Sequence, residues 1–167
     1  MKLENAVVLV TGANRGIGQA FARELLACGA RKIYAGARNP AAVMQPGVQP
    51  LRLDVTKSDD VAAAAEMASD VTLVINNAGI AEPGGFLAAD GEDVARRIFE
   101  TNFFAMLRVS KAFAPILKAN GGGALLNVLS IASWVNGGQL AAYSASKSAA
   151  WSLTNALRNE LAVQKTQ

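Results

Sequence analysis

The chain has 167 residues, 51% hydrophobic and 17% charged, a length that suits one domain with a buried core. Sixteen Lys+Arg against thirteen Asp+Glu give a net charge of +3 with no long run of one sign, so a nucleic-acid or membrane surface is not indicated. The only cysteine, Cys28, excludes an internal disulfide; in an apolar stretch it reads as a buried thiol, and a reducing, cytoplasmic setting is expected.

The opening Met-Lys-Leu-Glu-Asn runs into a strand pattern without a signal-peptide layout, and no apolar run approaches the roughly 18 residues of a membrane span. Residues 6–10 (AVVLV) read as the first strand, followed by a glycine turn and a helix over 17–26. The second strand is 32–37 (KIYAGA), trailed by a short helical candidate at 41–44; the third is 50–53. A helix over 58–68 follows, with Ser58, Asp59 and Asp60 suited to its amino-terminal cap. Next come a strand at 71–75, a long helix over 91–120, a three-glycine loop, a fifth strand at 124–129 and a helix over 143–163.

Strands alternating with helices imply right-handed crossovers into a parallel sheet covered on both faces, with ligands at the carboxyl ends of the strands. The expected fold is α/β, a Rossmann-type doubly wound sheet of strand order 3-2-1-4-5 in a single domain over 1–167. With the last helix closing the chain, strand five is expected to present an uncovered apolar edge.

After the first strand stands TGANRGIG, with Gly12, Gly16 and Gly18 spaced G-x-x-x-G-x-G. Gly12 lets the backbone turn sharply, while Gly16 and Gly18 let a helix start approach a pyrophosphate. A structural turn with tight helix packing also uses such glycines. There is no G-K-[ST] ending, which excludes a P-loop. At the end of strand two, where an acidic residue would accept bonds from a ribose 2′-hydroxyl, stand Ala37 and Arg38. Arg38 with Arg15 could grip a 2′-phosphate, which favours NADP over NAD. The alternative is two solvated arginines in a region already basic through Arg31 and Lys32.

The chain has no histidine, so acid–base work near neutral pH needs another group. Tyr143 and Lys147, spaced i and i+4, share one helix face, and an ammonium one turn from a phenol favours the phenolate. Ser130, closing strand five, offers a hydroxyl to a substrate oxygen; Ser133 is the alternative, and Ser130 serving only the turn is another. No metal site is expected.

With TGANRGIG, LDV at 53–55, NNAG at 76–79, Asn102 in TNFFA, Ser130 in NVLS, and YSASK, the chain resembles the short-chain dehydrogenase/reductase family in its ordinary single-domain branch. The resemblance implies Asn102, Ser130, Tyr143 and Lys147 as a catalytic tetrad and hydride transfer between NADP(H) and a carbonyl or secondary alcohol. It implies cofactor contacts from Gly12, Asn14, Arg15, Gly16, Ile17 and Gly18, from Arg38, from Asp54 and Val55 beside the adenine, from Asn77, Ala78 and Gly79, and from Tyr143 and Lys147. Asn102 would hold a water linking Lys147 to solvent; its other reading is a polar residue that distorts the long helix. Trp134, Val135, Gln139 and Leu140 are the candidate pocket residues for a small-molecule substrate. Helices 91–120 and 143–163 would form a homodimer or homotetramer, burying Phe103, Trp151 and Leu153, unless these pack within the chain. The family's C-terminal strands and lid are absent, so the alternative function is a catalytically impaired dinucleotide-binding or scaffold protein. The glycine spacing argues against a sugar-nucleotide epimerase.

Overall fold

The computed structural model describes all 167 residues. Five parallel strands, β1 (Val7–Thr11), β2 (Lys32–Ala37), β3 (Gln49–Arg52), β4 (Leu73–Asn76) and β5 (Ala124–Asn127), stand in the order β3-β2-β1-β4-β5. The central β1 is buried along its whole length, as an apolar run covered on both faces must be. Its side chains alternate. Val8 and Val10 join Ile33, Ala35 and Ile75 beneath α1 (Gly16–Ala27), which contributes Ala22 and Leu25. Val7 and Leu9 face α2 (Ser58–Met67) and α4 (Ala105–Ala119) through Val61, Ala64, Val109 and Phe113. The sheet is therefore the doubly wound Rossmann-type arrangement that the alternation predicts.

The long helix expected over 91–120 is three pieces: α3 (Gly91–Phe99), a π turn at Glu100–Phe104, and α4. The π turn contains Asn102, whose side chain bonds sideways to the backbone of Ile80. An extra residue in the helical ladder is what brings that side chain to face Ile80. The last helix, α5 (Ala141–Ala162), begins two residues before Tyr143. The region at 41–44 is a 3₁₀ turn over Pro40–Ala42, opened by Asn39, whose side chain accepts from the Ala41 amide.

Three expectations are corrected. Lys57, not Ser58, is the cap of α2, and no side chain caps it; the Asp60 carboxylate accepts the Asp54 amide instead, at 2.9 Å. Cys28 is exposed, because it stands past the last buried turn of α1, whose inner stripe is Gly18, Ala22 and Leu25. Strand five ends at Asn127, where its pairing with Asn76 stops, so Ser130 lies beyond the strand rather than closing it.

β5 stands at the edge of the described sheet. On its α1 side Ala124 and Val128 are only part-buried and Leu126 is 41% exposed, so that face of the sheet is not fully covered. The first hydrogen bonds along this edge go to Gln167, whose carbonyl accepts from the Leu125 amide and whose amide donates to Gly123. Gly123 itself is obligatory: at φ +81°, a Cβ there would lie 2.1 Å from the Thr72 carbonyl oxygen. No helix is long and apolar enough to cross a membrane.

Candidate active site

The glycine loop leaves β1 at Thr11 and enters α1. Gly12 and Gly16 hold φ +67° and +55°, the left-handed region that glycine tolerates best. Gly18 is required by packing, since a Cβ there would stand 2.2 Å from the Gly12 carbonyl oxygen and 2.6 Å from Asn77 Nδ2. Arg15 caps α1 in extended conformation without a side-chain bond, and the amides of Gly16, Ile17 and Gly18 find no acceptor in the chain. Three unpaired donors thus stand at the carboxyl edge of the central strand, at the positive end of a helix. Asn14 lies half-buried in the same loop.

The NNAG segment is stapled to this loop. Thr11 Oγ1 accepts from the amides of Asn77 (2.9 Å) and Ala78 (3.0 Å), and Asn77 Nδ2 donates back to the Thr11 carbonyl at 2.9 Å. Gly79 leaves room for Asn102, whose Oδ1 would lie 3.2 Å from a Cβ at that position. Next along the sheet edge, Asp54 is part-buried and Val55 buried. Burial raises the Asp54 pKa, but hydrogen bonds from the Thr56 hydroxyl and amide, with the charges of Arg38 and Lys57, outweigh it and hold the carboxyl below its ordinary value. Arg38 and Arg15 are both exposed. The other basic pair does not belong to this group. Arg31 and Lys32 lie at the opposite, amino end of β2, where Lys32 binds Asp70 (2.9 Å) and the Tyr34 hydroxyl (2.7 Å). The local basicity that the sequence suggested is two separate clusters.

On α5, Lys147 is 5% exposed, and its Nζ donates to the Val128 carbonyl at 2.8 Å. Nζ stands 5.8 Å from the centroid of the half-buried Tyr143 ring, so the i, i+4 pair does meet. No carboxylate pairs with this ammonium, and burial pushes its pKa below the ordinary lysine value. Ser130 begins a 3₁₀ turn over Ile131–Ser133; its hydroxyl accepts the Ala132 amide at 3.1 Å and keeps its hydrogen free to donate. Ser130 therefore serves the turn without using up its donor. Ser133 is committed elsewhere: it is buried, its hydroxyl donates to the Lys147 carbonyl (3.0 Å), and its carbonyl accepts from Ser148 (2.7 Å). It clamps the turn to α5.

Asn102 meets the second of its sequence readings, the polar residue in a distorted helix. It sits in the helix distortion, and its buried side chain joins two parts of the site, accepting from the Ile80 amide (2.8 Å) and donating to the Ile80 carbonyl (2.9 Å) and Ser146 Oγ (3.0 Å). Both amide hydrogens are used inside the protein. Phe103 packs against Phe99 and Phe104 within the chain, whereas Trp151 is 43% exposed.

Several contributors escaped the sequence reading. Thr11 and Ser146 lie inside quoted motifs, but only the fold gives them partners. Arg108, on α4, donates to the Val55 carbonyl and to Glu100, each at 2.9 Å, tying the π turn to the Asp54–Val55 segment. Beside it a cavity of about 700 Å³ opens between α3, the π turn and the loops after β3 and β4, lined by Thr56, Ile80, Ala95, Phe99, Thr101 and Phe104. None of Ser130, Tyr143 and Lys147 lines it.

Residues 6–167 match the sequence profile of a family described as short chain dehydrogenase. The chain belongs to the short chain dehydrogenase family. The chain is 39% identical over 163 residues to D-erythrulose reductase of Gallus gallus, covering 94% of this chain and 65% of the relative. The chain spans about two thirds or less of the lengths of the first curated relatives it matches. Among solved structures, a short chain dehydrogenase from Burkholderia cenocepacia J2315 in complex with NADP superposes with a TM-score of 0.95 at 43% identity, over 99% of this chain and 70% of that one. A 3-ketoacyl-(acyl-carrier-protein) reductase from Brucella melitensis, complexed with NADH, gives a TM-score of 0.90 at 30% identity, over 99% of this chain and 74% of that one.

Proposed function

We propose that this protein is an NADPH-dependent oxidoreductase that interconverts a carbonyl and a secondary alcohol, with Tyr143 as proton donor and acceptor. The observation that carries the reading is Lys147, a buried ammonium beside a phenol with no carboxylate to compensate it. An uncompensated buried charge is costly, and such groups gather where chemistry needs them.

The residues present fit a dinucleotide. Gly16, at positive φ, has open space where a Cβ would stand, and the amides of Gly16, Ile17 and Gly18, free of partners in the chain, are donors suited to a pyrophosphate. Asp54 and Val55 would flank the adenine, Asn77, Ala78 and Gly79 the adjoining ribose, and Lys147 the nicotinamide ribose. Arg15 and Arg38 would take a 2′-phosphate, which supports NADP; the complexes of relatives with NADP and with NADH support the cofactor class. The nicotinamide supplies the hydride at its C4 when bound.

In reduction, Ser130 Oγ donates its free hydrogen to the carbonyl oxygen, and Tyr143 Oη gives its proton to that oxygen as the alcohol forms. The Lys147 ammonium stabilises the phenolate left behind, and Lys147 then returns a proton from solvent. Because both Asn102 amide hydrogens are taken, a water on this route is held by Asn102 acceptor groups. In oxidation the same groups act in reverse.

The unit proposed is a single dinucleotide-binding domain over 1–167 in a reducing, cytoplasmic setting, where the exposed Cys28 thiol persists. Self-association through helices 91–120 and 143–163 would cover the exposed Phe104, Leu107 and Trp151. The test is titration of NADPH and NADH, followed by turnover on ketones. NADPH is expected to bind more tightly, with Arg38→Ala removing most of the preference. Tyr143→Phe is expected to keep NADPH binding while lowering kcat by about 10²–10⁴-fold. An unchanged turnover rate in that variant refutes the proton-donor role; binding without turnover in the parent chain favours the impaired dinucleotide-binding alternative.

A further inference from the structure

The walls next to Ser130 and Tyr143 have a chemical character of their own. No charged residue occurs between Lys118 and Lys147, a stretch that carries β5, Ser130, the loop into α5 and Tyr143. Within it, Ile131, Trp134 and Val135 are 70%, 71% and 61% exposed, and Leu140, three residues before Tyr143, is 36% exposed. Large apolar side chains so open, and so close in the chain to the two hydroxyls, form a surface suited to contact with another apolar group.

The segment that adjoins this loop is similar. The segment after NNAG is joined to the Ser130–Tyr143 loop by Gly84, whose amide donates to the Gln139 carbonyl at 2.8 Å and which bridges Leu140. Two residues further on stands Phe86, 50% exposed. The one charge between Asp70 and Asp90 is Glu82, already paired with Arg97 at 2.8 Å. The nearest ammonium, Lys147, is buried and bound to Val128. Apart from this buried Lys147, which has no carboxylate partner, neither segment offers an unpaired ion to a substrate. A carboxylate or ammonium beside the reacting carbon would lose water and gain no partner, a strongly unfavourable exchange.

Resting on the reading of the site as a carbonyl-reducing centre, we infer that its substrates are uncharged ketones or aldehydes carrying an aryl or extended alkyl group next to the carbonyl, with Trp134 as an apolar contact. Substrates bearing a carboxylate adjacent to the carbonyl are rejected.

The test uses a matched pair, ethyl benzoylformate and benzoylformate, which share ring and ketone and differ in charge. NADPH binding is measured first; its failure defeats the oxidoreductase reading, whatever the substrate. With NADP⁺ bound, so that no turnover occurs, each compound is titrated into the Trp151→Phe variant, whose only remaining tryptophan is Trp134. The ester is expected to quench Trp134 and to bind at least tenfold more tightly than the carboxylate, with the same order in kcat/KM with NADPH. Trp134→Ala is expected to raise the KM for the ester about tenfold with kcat little changed, and Trp134→Phe to restore it. Equal or tighter binding of benzoylformate, or an ester KM indifferent to Trp134→Ala, overturns the inference while leaving the cofactor reading in place.

Discussion

Gly18→Ala isolates the contact on which the glycine loop is built. The new methyl would lie 2.2 Å from the Gly12 carbonyl oxygen, 2.8 Å from the Gly12 carbonyl carbon and 2.6 Å from Asn77 Nδ2. That is short of ordinary van der Waals contact by about 1 Å, and two of the three atoms are backbone. Overpacking of this kind costs about 1–3 kcal/mol. Displacing Asn77 also weakens its bond to the Thr11 carbonyl, about 1 kcal/mol more. Alanine in the first turn of α1 returns about 1 kcal/mol of helix propensity. The net expectation is a loss of about 1–3 kcal/mol, seen at this chain length as a fall in Tm of about 2–4 °C per kcal/mol. The assay is thermal and urea unfolding, with Gly85→Ala as control because a Cβ at Gly85 meets nothing within 4 Å. The control should be neutral or slightly stabilised, and a Gly18→Ala chain as stable as the control would refute the packing argument.

Ser144 Oγ is buried with no hydrogen-bond partner, so Ser144→Ala is expected to stabilise the chain by about 1 kcal/mol, read as a higher urea midpoint. Arg108→Leu removes the tie between the π turn and the Val55 carbonyl; it should weaken NADPH binding several-fold in a fluorescence titration while leaving kcat at saturating cofactor nearly unchanged. For Asp70, burial acts to raise the pKa, but bonds from Lys32 and Tyr34 prevail, and the net shift, like that of Asp54, is downward. Both therefore favour the folded state above the unfolded carboxylate value near pH 4, and this contribution is lost as pH falls through the lower folded values. Urea midpoints should drop as pH falls below about 4, and less steeply in Asp70→Asn, where a slope equal to the parent's would show that Asp70 contributes nothing.

The strand sequence, the sheet order and the meeting of Tyr143 with Lys147 are legible because each rests on a short rule. AVVLV, short and bounded by a glycine turn, reads as a strand covered on both faces, and Tyr143 and Lys147 share a helix face by spacing alone. What was not legible depends on which partner a side chain takes. Ser58 has the chemistry of a cap, but the α2 entry is arranged around Asp60 and the Asp54 amide. The π turn is invisible to periodicity, because one extra residue leaves the apolar pattern of 91–120 almost intact while shifting its register. Ser130 and Ser133 are equivalent as letters; only the Ser133 bond to the Lys147 carbonyl tells them apart. Cys28 misleads for a related reason, since apolar neighbours in sequence need not be neighbours in space once a helix ends.

The same bonds that resolve these ambiguities hold the site together, and nearly all of them run from a side chain to backbone. Thr11 and Asn77 fix the glycine loop to β4, Asn102 fixes the π turn to Ile80 and α5, Ser133 fixes the 3₁₀ turn to α5, and Lys147 reaches back to Val128. Backbone acceptors survive changes of neighbouring side chains, so the surrounding loops can vary without disturbing the placement of Ser130, Tyr143 and Lys147. Lys147 is the costly member of this set. Because burial lowers its folded pKa, the native state binds its proton less readily than the unfolded chain, and stability rises as pH climbs through the folded value toward the unfolded one. The chain thus carries a standing penalty at the position where the proposed reaction would use an ammonium beside Tyr143, the pattern expected when function rather than stability sets a residue.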